Sequence, residues 1–214
     1  MRKKQINNFG NFKLKSVIAI VVCMLLLTSC GGGQSTGDSN SNSGSEQGTA
    51  VGMENVDKIE NGETVNIGEF SADTLDGKTL THEYFANEKL TMINVWATFC
   101  GPCKSEMPDL GDLDRDLDDF QVLGIVTDVI DQDGNPDDDQ LEVARALADA
   151  SKVDYPSLIL NRSLAELGFA TLPSVPTTIF VDKDGNIVGE PLVGAYDGDS
   201  WKKIIEQKIS ELDK

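Results

Sequence analysis

The chain has 214 residues, 39% of them hydrophobic and 25% charged, with 36 acidic against 18 basic side chains and a formal net charge of −18. So acidic a polypeptide repels phosphate backbones and anionic headgroups, which argues against nucleic acid as a partner and against a membrane surface held by basic side chains. Length and apolar content suffice for one core of about 150 residues plus accessory segments.

In chain order, Arg2, Lys3, Lys4, Lys13 and Lys15 precede an unbroken apolar stretch from Val17 to Leu27. That stretch is far shorter than the about 20 residues a membrane span needs, so residues 1–29 read as a signal peptide. Leu27-Thr28-Ser29-Cys30 resembles a bacterial lipobox, which implies cleavage before Cys30 and attachment of a lipid to Cys30. The mature chain would then be extracytoplasmic and lipid-anchored to the bacterial cell membrane. Losing five cations with the leader takes the formal charge from −18 to −23. Residues 30–64 begin with a tract of Gly, Ser, Asn, Gln and Thr and read as a flexible tether with an r.m.s. reach of about 30 to 35 Å. Residues 65–214 are then the folded domain.

Within that domain, Phe70 to Thr81 reads as a hairpin turning at Asp76-Gly77. His82, the single histidine, falls in a short strand or loop and reads as a surface residue. Leu90 to Trp96 has the length and composition of a buried strand. The next segment places Met107, Leu110, Leu113 and Leu117 at helical spacing, with Pro108 as an expected kink. Gln121 to Val126 is a second strand, Leu141 to Ala150 a helix with Leu141, Ala144 and Leu147 inward, Tyr155 to Leu160 a short strand and Leu164 to Phe169 a short helix. Thr177–Val181 and Ile187–Leu192 form a hairpin across Asp184-Gly185-Asn186, and Trp201 to Leu212 closes the chain as an amphipathic helix with Trp201 in the core. This order predicts a three-layer α/β sandwich with a mixed central sheet.

Cys100-Gly101-Pro102-Cys103 sits where the buried strand gives way to the helix. Residues three apart at a helix start share a face, with Cβ atoms about 5 to 6 Å apart, close to disulfide geometry. Pro102 suits the first helical turn, and the free N–H groups and positive dipole end favour the thiolate of Cys100. A stabilised thiolate also leaves readily when Cys103 attacks a mixed disulfide, so exchange is favoured in both directions. With Cys23 and Cys30 in the export segment, these are the only two free thiols of the processed chain. They are two ligands short of a four-cysteine zinc site, and neither a metal nor a cofactor is expected. Asp131, Asp133, Asn135, Asp137, Asp139 and Glu142 match the spacing of a calcium-binding EF-hand loop, but Pro136 stands where that loop needs glycine. Acidic residues at a helix start are sufficiently explained by the dipole. The aspartates from Asp109 to Asp119 read as a solvated face.

The run from Asn94 to Pro108, Asn-Val-Trp-Ala-Thr-Phe-Cys-Gly-Pro-Cys-Lys-Ser-Glu-Met-Pro, is similar to the thioredoxin superfamily, specifically its membrane-tethered TlpA/ResA-like thiol:disulfide oxidoreductases. The likeness resumes at Val175-Pro176-Thr177-Thr178 and covers most of residues 65–214. It implies a thioredoxin-like sandwich with an N-terminal β-hairpin extension. It makes Cys100 the attacking thiol, Cys103 the resolving one, and Pro176 a cis-proline opposite them, with Val175 offering backbone groups to an extended substrate. Trp96, Gly101 and Pro102 join the substrate side. Glu106 resembles an acidic residue kept near the active site, which would accept the proton of Cys103 and oppose a thiolate by like charge. Asn94 occupies the place of thioredoxin's buried aspartate.

The implied partners are protein disulfides, a membrane thiol/disulfide electron donor and the membrane itself, with the chain acting as a monomer. The Gly-Pro dipeptide resembles that of thioredoxin, at about −270 mV against about −120 mV for DsbA, which favours a reductase. A peroxiredoxin-like peroxidase would need Pro-x3-Thr-x2-Cys, whereas Thr98 stands only two residues before Cys100. A copper chaperone of the Sco kind would need CxxxC and a downstream histidine. A solute-binding lipoprotein would have no use for the dithiol.

Overall fold

The structure, a computed structural model, describes Lys58 and residues 63–214. The expected leader, Cys30 and most of the expected tether lie outside the described residues.

Two apolar runs make the centre of the fold. β3 (Leu90–Trp96) and β4 (Phe120–Val126) are buried at every position and pair in parallel, from Leu90 opposite Phe120 to Trp96 opposite Val126. Strands covered on both faces need no polar alternation, which is why these sequences read as continuous apolar runs. β5 (Ser157–Ile159) extends the sheet in parallel beside β4. β6 (Thr177–Asp182) runs antiparallel to β3, and β7 (Leu192–Val193) antiparallel to β6, giving the order β5-β4-β3-β6-β7.

Alternate residues of these strands feed opposite faces. Ile93, Val95, Leu123, Ile125, Leu158, Ile179 and Val181 pack with Phe70, Ala72, Phe85, Leu164 and Phe169. Those partners come from the hairpin β1 (Ser71–Asp73) and β2 (Thr79–Thr81), the 3-10 turns His82–Asn87 and Phe169–Thr171, and the short helix α3 (Arg162–Glu166). Met92, Trp96, Val122, Val126, Ile159 and Phe180 face the other way. They are covered by α1 (Gly101–Asp116), α2 (Asp138–Ala150) and α4 (Gly198–Leu212), through Met107, Leu110, Leu141, Ala144, Trp201 and Ile205. The result is the expected mixed-sheet sandwich with its N-terminal hairpin. The turn of that hairpin also folds along the sheet: Thr74 bridges Leu158, and Leu75 N–H donates to Ser157 O at 2.9 Å.

Several local expectations are corrected. Ile187–Leu192 is not one strand. Only Ile187 bridges Val181, after which Gly189 (φ 73°) and Pro191 interrupt the ladder before Leu192 and Val193 pair with Thr178 and Thr177. A positive-φ residue turns the chain and proline has no N–H to give. His82 opens a 3-10 helix, because the Thr81 hydroxyl accepts from Glu83 N–H and caps it. α1 continues through Pro108, which is exposed. α2 starts at Asp138, ahead of its apolar periodicity, because the Asp137 carboxylate accepts from Asp139 and Gln140 N–H at 3.1 Å.

One row across the middle of the sheet is polar rather than apolar. Asn94 of β3 lies opposite Gly124 of β4 and Thr178 of β6, and Gly124 lies opposite Ser157 of β5. A Cβ on Gly124 would stand 2.2 Å from Ser157 Oγ, so glycine is required by its neighbour. Gly124→Ala should lower stability by about 1–3 kcal/mol, as overpacking does. Adding Ser157→Gly should recover part of the loss in urea melts, and a double variant no better than Gly124→Ala would contradict this account.

Candidate active site

The C-terminal end of β3 delivers the chain to the dithiol through a braced turn. Thr98 donates its N–H to both carboxylate oxygens of Asp128 at 2.9 Å and its hydroxyl at 2.6 Å. Lys104 Nζ donates to Thr98 O at 3.3 Å, and Cys100 N–H to Ala97 O at 3.1 Å. With its hydroxyl and amide both committed to Asp128, Thr98 is held as a structural brace of the turn.

Cys100 is the N-cap of α1, with extended backbone (φ −78°, ψ 104°), and its Sγ accepts from Cys103 N–H at 3.1 Å. A helix of 16 residues therefore presents its positive end to this sulfur. Cys100 and Cys103 are joined as a disulfide with Cα atoms 5.4 Å apart. The two sulfurs are not equivalent. Cys100 is 5% exposed and Cys103 is wholly buried, so what solvent access the pair has is at Cys100. Gly101 and Pro102 are exposed beside the bond, and Phe99, 76% exposed, projects just ahead of it.

The Val175–Pro176 peptide is cis. Val175 is half-buried and packs against the cluster that contains both cysteines, while Pro176 is buried and its carbonyl accepts from Gly194 N–H at 2.9 Å. Thr177 ties the approach to this bond by donating its hydroxyl to Ser174 O at 2.8 Å. Trp96, expected on the substrate side, is corrected: it is fully buried in the same cluster and supports the cysteines from inside.

Glu106 lies one helical turn beyond Cys103 and is 2% exposed, so it is a core carboxylate and not a solvated helix residue. Asn94 Nδ2 donates to its Oε1 at 2.9 Å. Its Oε2 accepts from Trp201 Nε1 at 3.2 Å and from Tyr196 N–H at 3.3 Å. Burial pushes the Glu106 carboxyl above its ordinary value, and the hydrogen bonds from Asn94, Trp201 and Tyr196 pull it part of the way back. Asn94 thus supplies a donor to a carboxylate that arrives from the facing helix. Sequence reading noted both residues but not their pairing, and it assigned Trp201 to the core alone. No local pattern marks a contact between residues 95 apart.

The acidic loop folds on itself. Asp131 accepts from the N–H groups of Asp133 and Asn135 at 2.9 and 2.8 Å, Gly134 takes the positive φ, and Asp137 caps α2. Among the described residues, no three His, Cys, Asp or Glu side chains gather as a metal site.

The model of the AhpC/TSA family matches residues 65–189. The chain belongs to that family. It is 30% identical over 141 residues to the thioredoxin-like protein YneN of Bacillus subtilis, covering 66% of this chain and 75% of that one. Among solved structures, a thioredoxin-family thiol:disulfide interchange protein of Chlorobium tepidum superposes with a TM-score of 0.57 at 22% identity, over 69% of this chain and 97% of that one. The exposed lipoprotein thioredoxin of Streptococcus pneumoniae gives a TM-score of 0.50 at 24% identity, over 65% and 99%. These likenesses establish the thioredoxin-like fold. Together with family membership and the thioredoxin-like relative, the closed Cys100–Cys103 pair marks this member as a thiol:disulfide oxidoreductase. No helix among the described residues is long and apolar enough to cross a membrane.

Proposed function

We propose that the protein reduces protein disulfides outside the cytoplasmic membrane, held there by a lipid on Cys30 after removal of residues 1–29, with residues 30–64 as the tether and 65–214 as the catalytic unit. The observation that carries the chemistry is the asymmetric burial of the pair, with Cys100 at the helix tip and Cys103 shielded beside a buried carboxylate. In the reduced protein the Cys100 thiolate attacks a substrate disulfide, forming a mixed disulfide and releasing one substrate thiolate. Cys103 then gives its proton to Glu106, and its sulfur attacks Cys100 Sγ. The Cys100–Cys103 bond closes, the second substrate thiolate leaves, and two electrons have passed to the substrate. A membrane-bound dithiol donor returns the pair to its reduced form.

Substrate would lie along the exposed Gly101-Pro102 turn and the backbone of Val175-Pro176, adding an extended segment as in strand augmentation. Anchoring of this kind would let the reductase meet substrates at a raised effective concentration without a docking surface of its own. The test is paired. The protein should catalyse dithiothreitol-driven reduction of insulin, and in a bacterial host it should take up labelled palmitate, which Cys30→Ala should abolish with that activity intact. Absence of insulin reduction sinks the enzymatic reading; absence of label in the wild type, or equal label in Cys30→Ala, sinks the lipid anchor.

A further inference from the structure

Glu106 receives three donors, and one of them comes from the closing helix. Trp201, fully buried, directs its indole N–H to Glu106 Oε2 at 3.2 Å. The same oxygen takes the N–H of Tyr196, whose ring lies against that of Trp201 with centroids 4.7 Å apart. Trp201 also packs edge-on against Phe180, 6.3 Å between centroids, and any aromatic ring could fill that role. Only an indole also brings an N–H to the carboxylate. The other tryptophan, Trp96, is equally buried and its Nε1 meets no acceptor, so an indole N–H is not satisfied here as a matter of course.

A tether between helices would be the ordinary explanation, but another residue already supplies one. Asp109, one turn after Glu106 on α1, accepts from Gly198 N–H at the first residue of α4 at 2.9 Å. That carboxylate is half-buried and pins the start of α4 without the cost of a fully buried charge. The Glu106–Trp201 contact is therefore free for another purpose. The loop it touches, Val193 to Asp197, is the one whose Gly194 N–H holds the carbonyl of cis-Pro176.

We propose that Trp201 is a positioning residue: its indole N–H fixes the Glu106 carboxylate one turn from Cys103 and joins it to the loop that braces Pro176, so that proton acceptance and the substrate-side loop share one anchor. The inference rests on Glu106 as the acceptor of the Cys103 proton. The groups facing Glu106 are Cys103 on its own helix, Asn94 on β3, Tyr155 ahead of β5, and Tyr196 and Trp201 from the loop and α4. The Tyr155 hydroxyl is pushed up by burial, with the Glu106 charge adding to it.

The experiment uses the full chain. In the disulfide form, where neither cysteine titrates, the Glu106 carboxyl carbon is followed by 13C NMR across pH, in the wild type and in Trp201→Phe. Loss of one donor to the charged form should move the midpoint up by about one pH unit. The pH profile of mixed-disulfide resolution should move the same way, and Trp201→Phe should add nothing to it in a Glu106→Gln background. If phenylalanine unsettles the core, benzothienylalanine at position 201 keeps the bicyclic shape and removes only the N–H. An unmoved midpoint, or an equal shift of the profile in Glu106→Gln, overturns the proposal. A profile unchanged by Glu106→Gln alone removes Glu106 as acceptor and the role of Trp201 with it, while leaving insulin reduction by the dithiol standing.

Discussion

Cys103→Ala should convert the protein into a covalent trap, whereas Cys100→Ala should leave it inert. With Cys103 removed, Cys100 keeps its place at the tip of α1 and its limited exposure, so the first attack on a substrate disulfide still proceeds. Nothing then expels the bound chain, because the only thiol positioned 5.4 Å away, Cα to Cα, is gone. Mixed disulfides should accumulate to stoichiometric amounts on non-reducing gels, with turnover down by about 10³-fold or more, the scale on which loss of one member of a catalytic unit is felt. With Cys100 removed, the remaining sulfur is wholly buried, and both trapping and turnover should vanish. Trapping by Cys100→Ala in preference to Cys103→Ala would reverse the assignment of roles.

Asn94→Asp should produce the largest pH-dependent loss of stability. The substitution replaces the donor 2.9 Å from Glu106 Oε1 by a second carboxylate in a fully buried site. Two like charges at that distance cannot both persist, so the pair holds one proton in the folded state well above the pH at which the unfolded chain releases it. The folded pKa is raised, so the contribution to stability is full below the unfolded values, about 4, and is lost as pH rises through the folded value. The slope is up to about 1.4 kcal/mol per pH unit for one proton. Urea melts should show a deficit of about 2–4 kcal/mol at pH 8 and a much smaller one at pH 5. Equal deficits at both pH values would mean that Asn94 acts by packing alone. Wild type should show a weaker form of the same trend, since burial raises Glu106 above its ordinary 4.5.

The legible parts of this fold are those with a local cause. β3 and β4 announced themselves as apolar runs because they are buried on both faces, and α1 could be placed because its start carries Pro102 and its apolar spacing persists through Leu113. The dithiol was readable for the same reason, as two cysteines one helical turn apart at a helix start. The cis bond before Pro176 came only from family likeness, since nothing in Ser-Val-Pro-Thr distinguishes a cis from a trans proline. What stayed hidden depends on elements meeting in space. The role of Glu106 is legible only through family likeness, and its partners are not legible at all, because its three donors come from β3, from the loop before α4 and from α4 itself. The break in the last hairpin has a local cause as well, in the positive φ of Gly189 and the missing N–H of Pro191.

The way the hairpin turn lies against Leu158 also governs how copies of the protein behave toward one another. A bare outermost strand offers unpaired N–H and C=O groups on which another chain can grow. Here one border of the sheet is already occupied by Thr74 and Leu75, and the opposite border is only two residues long and follows a proline. Neither border gives a foreign strand much length to grip, so the unit resists strand-by-strand polymerisation even when many molecules are confined to a small volume.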